Sequence, residues 1–236
     1  SKFPWVGEAL YRGELWKAPE LPWHYILVWI GISTPIPYLV LFVAGAAAIL
    51  VRILPVRIEG QRRWLWKDEG ELQDLLFLAL VVGPLGSVIA LDSVLYDGWR
   101  QMYFLYPAIV LVALRGWVLL WNWRPRAPES AWPRVLGVGT ALCLLHTTWW
   151  MARAHPYQNL YLNVLAGRDV RKRFDLDYWG LTNRAALEYI LAHDERPLIK
   201  VAPGSWTYLN MSLLLLEGRE RTPLSVVKDE GELQDL

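Results

Sequence analysis

The chain has 236 residues, 54% of them hydrophobic and 20% charged, with a formal net charge of +1. That is too apolar for an ordinary soluble domain and too charged for membrane spans alone, so charge must gather in loops and a soluble extension. The near-neutral balance leaves no electrostatic footprint for nucleic acid, and a single Cys143 excludes an intramolecular disulfide.

The chain opens on Ser1 with neither an initiator Met nor a signal peptide, and reads as a piece of something longer. Residues 1–34 form a segment on the outer face. Within it, Trp23–Ile32 is an apolar stretch too short to span, read as an interfacial or re-entrant helix. Pro35 and Pro37 follow, so a bend is expected near Thr34. The other reading of the same residues is one long kinked span from Tyr25 to Val51.

Residues 35–151 carry four apolar runs, Ile36–Val51, Leu75–Leu91, Tyr103–Trp121 and Val135–Met151, none containing Asp or Glu. Each can cross all or nearly all of a hydrocarbon core about 30 Å thick. Trp64, Trp66, Trp99, Trp117, Trp121, Trp123, Trp132, Trp149 and Trp150 bracket the last three runs, where indole rings favour the headgroup boundary. Lys and Arg collect in the 52–74 loop (Arg52, Arg57, Arg62, Arg63, Lys67) and the 122–134 loop (Arg124, Arg126, Arg134), with Arg115 able to snorkel toward the same side. The positive-inside rule puts those loops in the cytoplasm, and the N-terminal segment, the 92–101 loop and everything after Met151 outside.

Residues 152–227 read as a small extracytoplasmic α/β extension. Thr182 is expected to cap a helix through Ala185–Leu191, Leu198–Ala202 to form a strand, Tyr208–Leu216 a second helix and Leu224–Val227 another strand. Lys67–Leu75 recurs unchanged as Lys228–Leu236. The first copy reads as a polar loop leading into a span, the second as a disordered or artefactual tail. The fold class is therefore a mainly α, polytopic membrane protein of about four transmembrane helices and an interfacial helix, with a small α/β extension.

No metal or phosphate motif is present: no His-Glu-x-x-His, no Walker loop and no Gly-x-Gly-x-x-Gly. No cofactor is expected. The polar candidates all fall on the outer side: Tyr11-Arg12-Gly13, Trp23, His24, the Tyr96-Asp97-Gly98-Trp99-Arg100 loop, His155-Pro156-Tyr157, and Asp175 to Gly180 with Asp177 and Tyr178. Aromatic rings stack on sugars and Arg pairs bidentately with phosphate, so a site joining a lipid phosphate to a sugar would need this mixture. An ordinary interfacial loop with Trp, Tyr and Arg anchors uses the same residues. His146, inside the fourth run and followed by Thr147 and Thr148, marks either a polar cavity or a hydrogen bond to a neighbouring helix.

Three strings occur in order: Leu21-Pro22-Trp23-His24-Tyr25 with Thr34-Pro35, Tyr96-Asp97-Gly98-Trp99-Arg100 with Tyr103–Pro107, and His155–Asn163 with Phe174–Leu181. Together they resemble the C-terminal half of bacterial membrane proteins similar to glycosyltransferase family 39. That family belongs to the GT-C superfamily, with protein O-mannosyltransferases and the aminoarabinose transferases of lipid A. The resemblance covers Tyr11 to about Val227. It implies a polyprenyl-phosphate sugar donor, an extracytoplasmic active site in a bacterial inner membrane, and inverting transfer to the hydroxyl of an unidentified glycan, lipid or protein acceptor.

In such enzymes the catalytic acid sits in a first outer loop that this chain does not match, so no catalytic residue is assigned. Arg100 is the candidate for the donor phosphate, against a plain interfacial anchor. Asp97 and Asp177 are given donor-positioning or structural roles. His24 and His155 either position substrate hydroxyls or make structural hydrogen bonds, and Trp23 and Tyr178 join them as substrate-binding candidates. The alternative to an enzyme fragment is a non-catalytic membrane scaffold or lipid-carrier-binding protein with the same fold. A transporter is disfavoured, because no span carries a carboxylate to couple an ion.

Overall fold

The computed structural model describes residues 7–53, 66–123, 131–203, 207–216 and 223–227. It divides into two compact units, Ser1–Arg153 with Leu162–Phe174, and Ala154–Tyr161 with Asp175–Leu236.

The first unit opens on a hairpin that the sequence reading did not anticipate. Strand β1 (Glu8–Tyr11) pairs antiparallel with β2 (Glu14–Lys17), Leu10 opposite Leu15. Arg12 and Gly13 join them with φ of 55° and 94°, the two left-handed residues that a type I′ hairpin loop requires. Alternation puts Ala9 and Tyr11 inside.

Helix α1 (Tyr25–Ser33) ends where Thr34 adopts extended backbone, φ −101° and ψ 134°, and α2 (Ile36–Ile53) starts two residues later. The bend expected near Thr34 is there, and the helix stops and restarts at it. Asn163, far along the chain, satisfies the freed carbonyls: its Nδ2 donates to Gly31 O at 2.7 Å and to Thr34 O at 2.6 Å, and its backbone N–H donates to Ile32 O at 2.7 Å. Helix ends must find such partners when buried. This explains why Leu162–Phe174 packs with the first unit rather than with the rest of the extension.

Helix α3 (Glu69–Ala90) begins six residues before the apolar run. Asp68 accepts from the Glu71 N–H at 2.9 Å and Glu71 accepts from the Lys67 N–H at 2.8 Å, a reciprocal arrangement close to a capping box. The first copy of the repeated nonapeptide is thus a cap and a helical turn, not a loop. Its extra turns bring a carboxylate into the helix: Asp74 is buried and ion-paired with Arg115 of α4 (Tyr106–Asn122). The second copy, and with it the expectation of a disordered tail, lies outside the described residues.

Helices α2 and α4 make the most extensive contact in the unit. They cross at Gly45 and Gly116, where a Cβ on Gly45 would run into the Val112 carbonyl and one on Gly116 into the Leu41 carbonyl. Such small-residue crossings let backbones approach within a membrane. Helix α5 (Trp132–Arg153) touches α4 through tryptophans. Trp117 Nε1 donates to Thr140 Oγ1 at 2.9 Å and Trp132 Nε1 to Leu120 O at 2.6 Å.

Among the described residues, three helical stretches are long and apolar enough to cross a membrane: Glu69–Ala90, Arg100–Asn122 and Trp132–Arg153. A shorter apolar helix covers Ile36–Arg52. No residue of α5 is buried, and its Val138, Leu142 and Leu145 are 60%, 61% and 65% exposed. In water, each such side chain forgoes about 1.5–3 kcal/mol of burial; in hydrocarbon the same surface is at home. The protein is therefore a helical membrane protein.

In the second unit, α6 (Thr182–His193) and α7 (Leu209–Leu213) pack with β3 (Ile199–Val201) and β4 (Leu224–Val226). The strands run parallel, Ile199 opposite Leu224. Leu187, Ile199, Val201, Leu209, Leu216 and Leu224 form the core. The expected helix–strand–helix–strand order is present, with α7 shorter than the expected Tyr208–Leu216.

Candidate functional site

In the first unit the candidate residues gather around α1. Tyr11, 2% exposed, sets its hydroxyl 2.7 Å from His24 Nδ1 and its ring edge-on to Tyr25 at 5.0 Å. Burial raises the Tyr11 phenol above its ordinary value, with neighbouring Arg12 pulling the other way, so the hydroxyl is protonated at neutral pH. His24 thus serves a structural hydrogen bond. Tyr25, 1% exposed, accepts the Gly98 N–H at 3.0 Å. That bond seats the turn at Asp97 and Gly98, whose φ values are 53° and 75°. Gly98 also backs onto the Trp29 ring, which a Cβ would meet at 3.6 Å.

The turn presents the central pair of the site. Arg100 Nη2 lies 3.4 Å from Asp97 Oδ2, and its guanidinium sits over the Tyr96 ring, 4.9 Å from the centroid. Both side chains keep a window, 22% exposed for Arg100 and 11% for Asp97. Trp99, expected at the headgroup boundary, packs inside the protein. It is buried, with Nε1 donating to Ser33 Oγ at 2.8 Å, because α1 offers its indole both a hydrogen-bond partner and packing.

Trp23 is 65% exposed and lines a shallow, open cleft with Pro22, Ile26, Ile89, Ser93 and Leu95. Asp92 stands at the same cleft. One loop, 92–100, therefore supplies a wall of the Trp23 cleft at Leu95 and carries the Asp97–Arg100 pair. Asp92 and Ser93, which were not singled out, could have been found as the polar residues directly following the second apolar run.

The second unit holds His155, Asp177 and Tyr178. Asp177 works as a helix cap: its Oδ1 accepts the Leu181 N–H at 3.0 Å and its Oδ2 the Thr182 N–H at 2.8 Å. The expected role of Thr182 as cap is corrected by this. Thr182 is the first helical residue and donates its own hydroxyl to Asp177, because the left-handed backbone at Asp177 (φ 55°) folds the carboxylate back over the helix start. Asp177→Ala is expected to cost about 1 kcal/mol of stability in the second unit. Asp177→Asn should recover part of it, read by thermal unfolding, with no separate effect on ligand binding. His155 Nδ1 lies 3.0 Å from Gln158 Nε2. Tyr178 meets Trp179 edge-on at 5.2 Å, leaving Trp179 56% exposed.

Trp23, His24, Asp97 and Arg100 thus share the first unit, while His155, Asp177 and Tyr178 share the second. Among the described residues, no three His, Cys, Asp or Glu side chains converge on a point that could hold a metal ion. Set against protein-family models, curated proteins and solved structures, the chain matches none.

Proposed function

We propose that the chain is the C-terminal part of a membrane glycosyltransferase. It takes a sugar from a polyprenyl-phosphate donor and delivers it to an acceptor hydroxyl on the extracytoplasmic face of a bacterial inner membrane. In this reading α2 crosses the bilayer with α3, α4 and α5. The observation that carries it is the 92–100 loop, which joins an exposed tryptophan cleft to an arginine fork at the end of the bundle. A planar guanidinium held by Asp97 and Tyr96 is preorganised for a phosphate, and the open Trp23 ring suits a sugar face or a prenyl chain.

Arg100→Ala is expected to weaken donor binding at least tenfold with little loss of folded protein, since charge-assisted bonds to a phosphate contribute roughly 1.5–3 kcal/mol. Lys should restore only part, as a point charge without the fork. Unchanged donor affinity in both variants would leave Arg100 an anchor.

A second reading, a scaffold or lipid-carrier-binding protein without chemistry, draws on the structural partners already taken by His24, His155 and Asp177. It predicts the same Arg100 effect on binding but no sugar transfer by the full-length protein.

A further inference from the structure

The 163–173 loop carries a surface that the transferase reading does not use. Asn163 pins it to the end of α1 and the start of α2, at the level where an apolar helix begins. Its backbone is held: Arg173 Nη1 donates to Ala166 O at 2.7 Å, the Gly13 N–H donates to Arg173 O at 3.1 Å, and the Lys172 N–H donates to Asp169 O at 2.9 Å. On this fixed frame Val164 and Leu165 are 83% and 60% exposed. Arg168, Arg171 and Lys172 are exposed beside them in sequence, and no described carboxylate lies within 4.0 Å of any of the three. Asp169 is the acidic residue of this loop, and Glu14 stands with Arg12 on the neighbouring hairpin.

We propose that this loop is an interfacial anchor for anionic phospholipid. Val164 and Leu165 enter the headgroup boundary, and Arg168, Arg171 and Lys172 hold headgroup phosphates. A merely solvated basic loop accounts for the three cations but not for two large apolar side chains presented outward on a rigid turn. A wholly apolar contact would not need the cations. A leaflet bearing negative phosphates satisfies both, since basic residues at such a surface each favour binding independently of the hydrophobic insertion. The proposal stands apart from the donor site, because it rests on different residues and calls for no polyprenyl chain.

The test uses the whole chain reconstituted in phosphatidylcholine vesicles with and without phosphatidylglycerol, carrying Cys143→Ala and a fluorophore on Val164→Cys. Quenching by spin-labelled phosphatidylglycerol is compared with quenching by spin-labelled phosphatidylcholine. The anionic lipid is expected to be preferred, and each of Arg168→Gln, Arg171→Gln and Lys172→Gln to lower that preference about fivefold. High salt should erase it in the unsubstituted loop. Equal quenching by both lipids, or a preference that survives the triple substitution, overturns the proposal. Inorganic phosphate that competes the lipid away would make the occupant a soluble anion and overturn it as well.

Discussion

Gly116→Ala is expected to destabilise the first unit by about 2 kcal/mol, although the same change in an exposed helix stabilises by about 1 kcal/mol through helix propensity. The sign is diagnostic because the added methyl meets backbone, the Leu41 carbonyl of α2, and no side chain can turn away from it. The helices must separate, and contact is lost along their whole crossing. Gly45→Ala should behave alike, since its Cβ would meet the Val112 carbonyl. Gly83→Ala in α3 is the control: nothing lies within 4 Å of its Cβ, so stability should stay level or rise slightly. Thermal unfolding in one neutral detergent compares all three.

The second large effect belongs to the Asp74–Arg115 pair, and it should be asymmetric. Asp74 has 4% of its side chain exposed and Arg115 has 39%. Arg115→Met strands a carboxylate among apolar helices, which costs about 3–5 kcal/mol for a buried pair broken from one side. Asp74→Asn leaves an arginine that can still reach polar surroundings along its stem, so its cost should be clearly smaller. The double variant Asp74→Leu with Arg115→Met should recover most of the loss, because matched apolar residues replace a buried pair at little cost. Equal losses from the two single variants would mean that the pair is not buried as described.

The helices that face lipid could be read from the sequence because lipid imposes a severe rule: a spanning segment must satisfy its own backbone and show apolar side chains all round. The helix break at Thr34 was legible from Pro35 and Pro37 for an equally local reason. The contacts that order the site were not legible, since they join residues far apart. Asn163 closes the end of α1 across 129 positions, and Arg115 finds Asp74 across 41. Asp74 was set outside the span by hydropathy, which cannot see a cap six residues upstream at Asp68 starting the helix early.

The candidate site shows the same division. The motif at 96–100 forms a turn on which Asp97 and Arg100 meet, three residues apart, with Asp97 in the left-handed region. The packing of Trp99 against α1, with its bond to Ser33, was not legible in that motif. Asp177 carried two readings in the sequence, donor positioning or structure, because an acid in an aromatic string fits either. Its backbone at φ 55° turns it onto the helix it precedes. The 8–17 hairpin escaped notice because its strands are four residues each and its turn is marked by a single glycine.

The most direct measurement is saturation binding of a polyprenyl-phosphate sugar, set against the uncharged polyprenol of the same length, to the chain in neutral nanodiscs. Saturable binding of the phosphorylated donor is expected, at least tenfold tighter than polyprenol and dependent on Arg100. Equal affinity for the two lipids, or binding that ignores Arg100, would contradict the assignment of this face to a lipid-phosphate sugar.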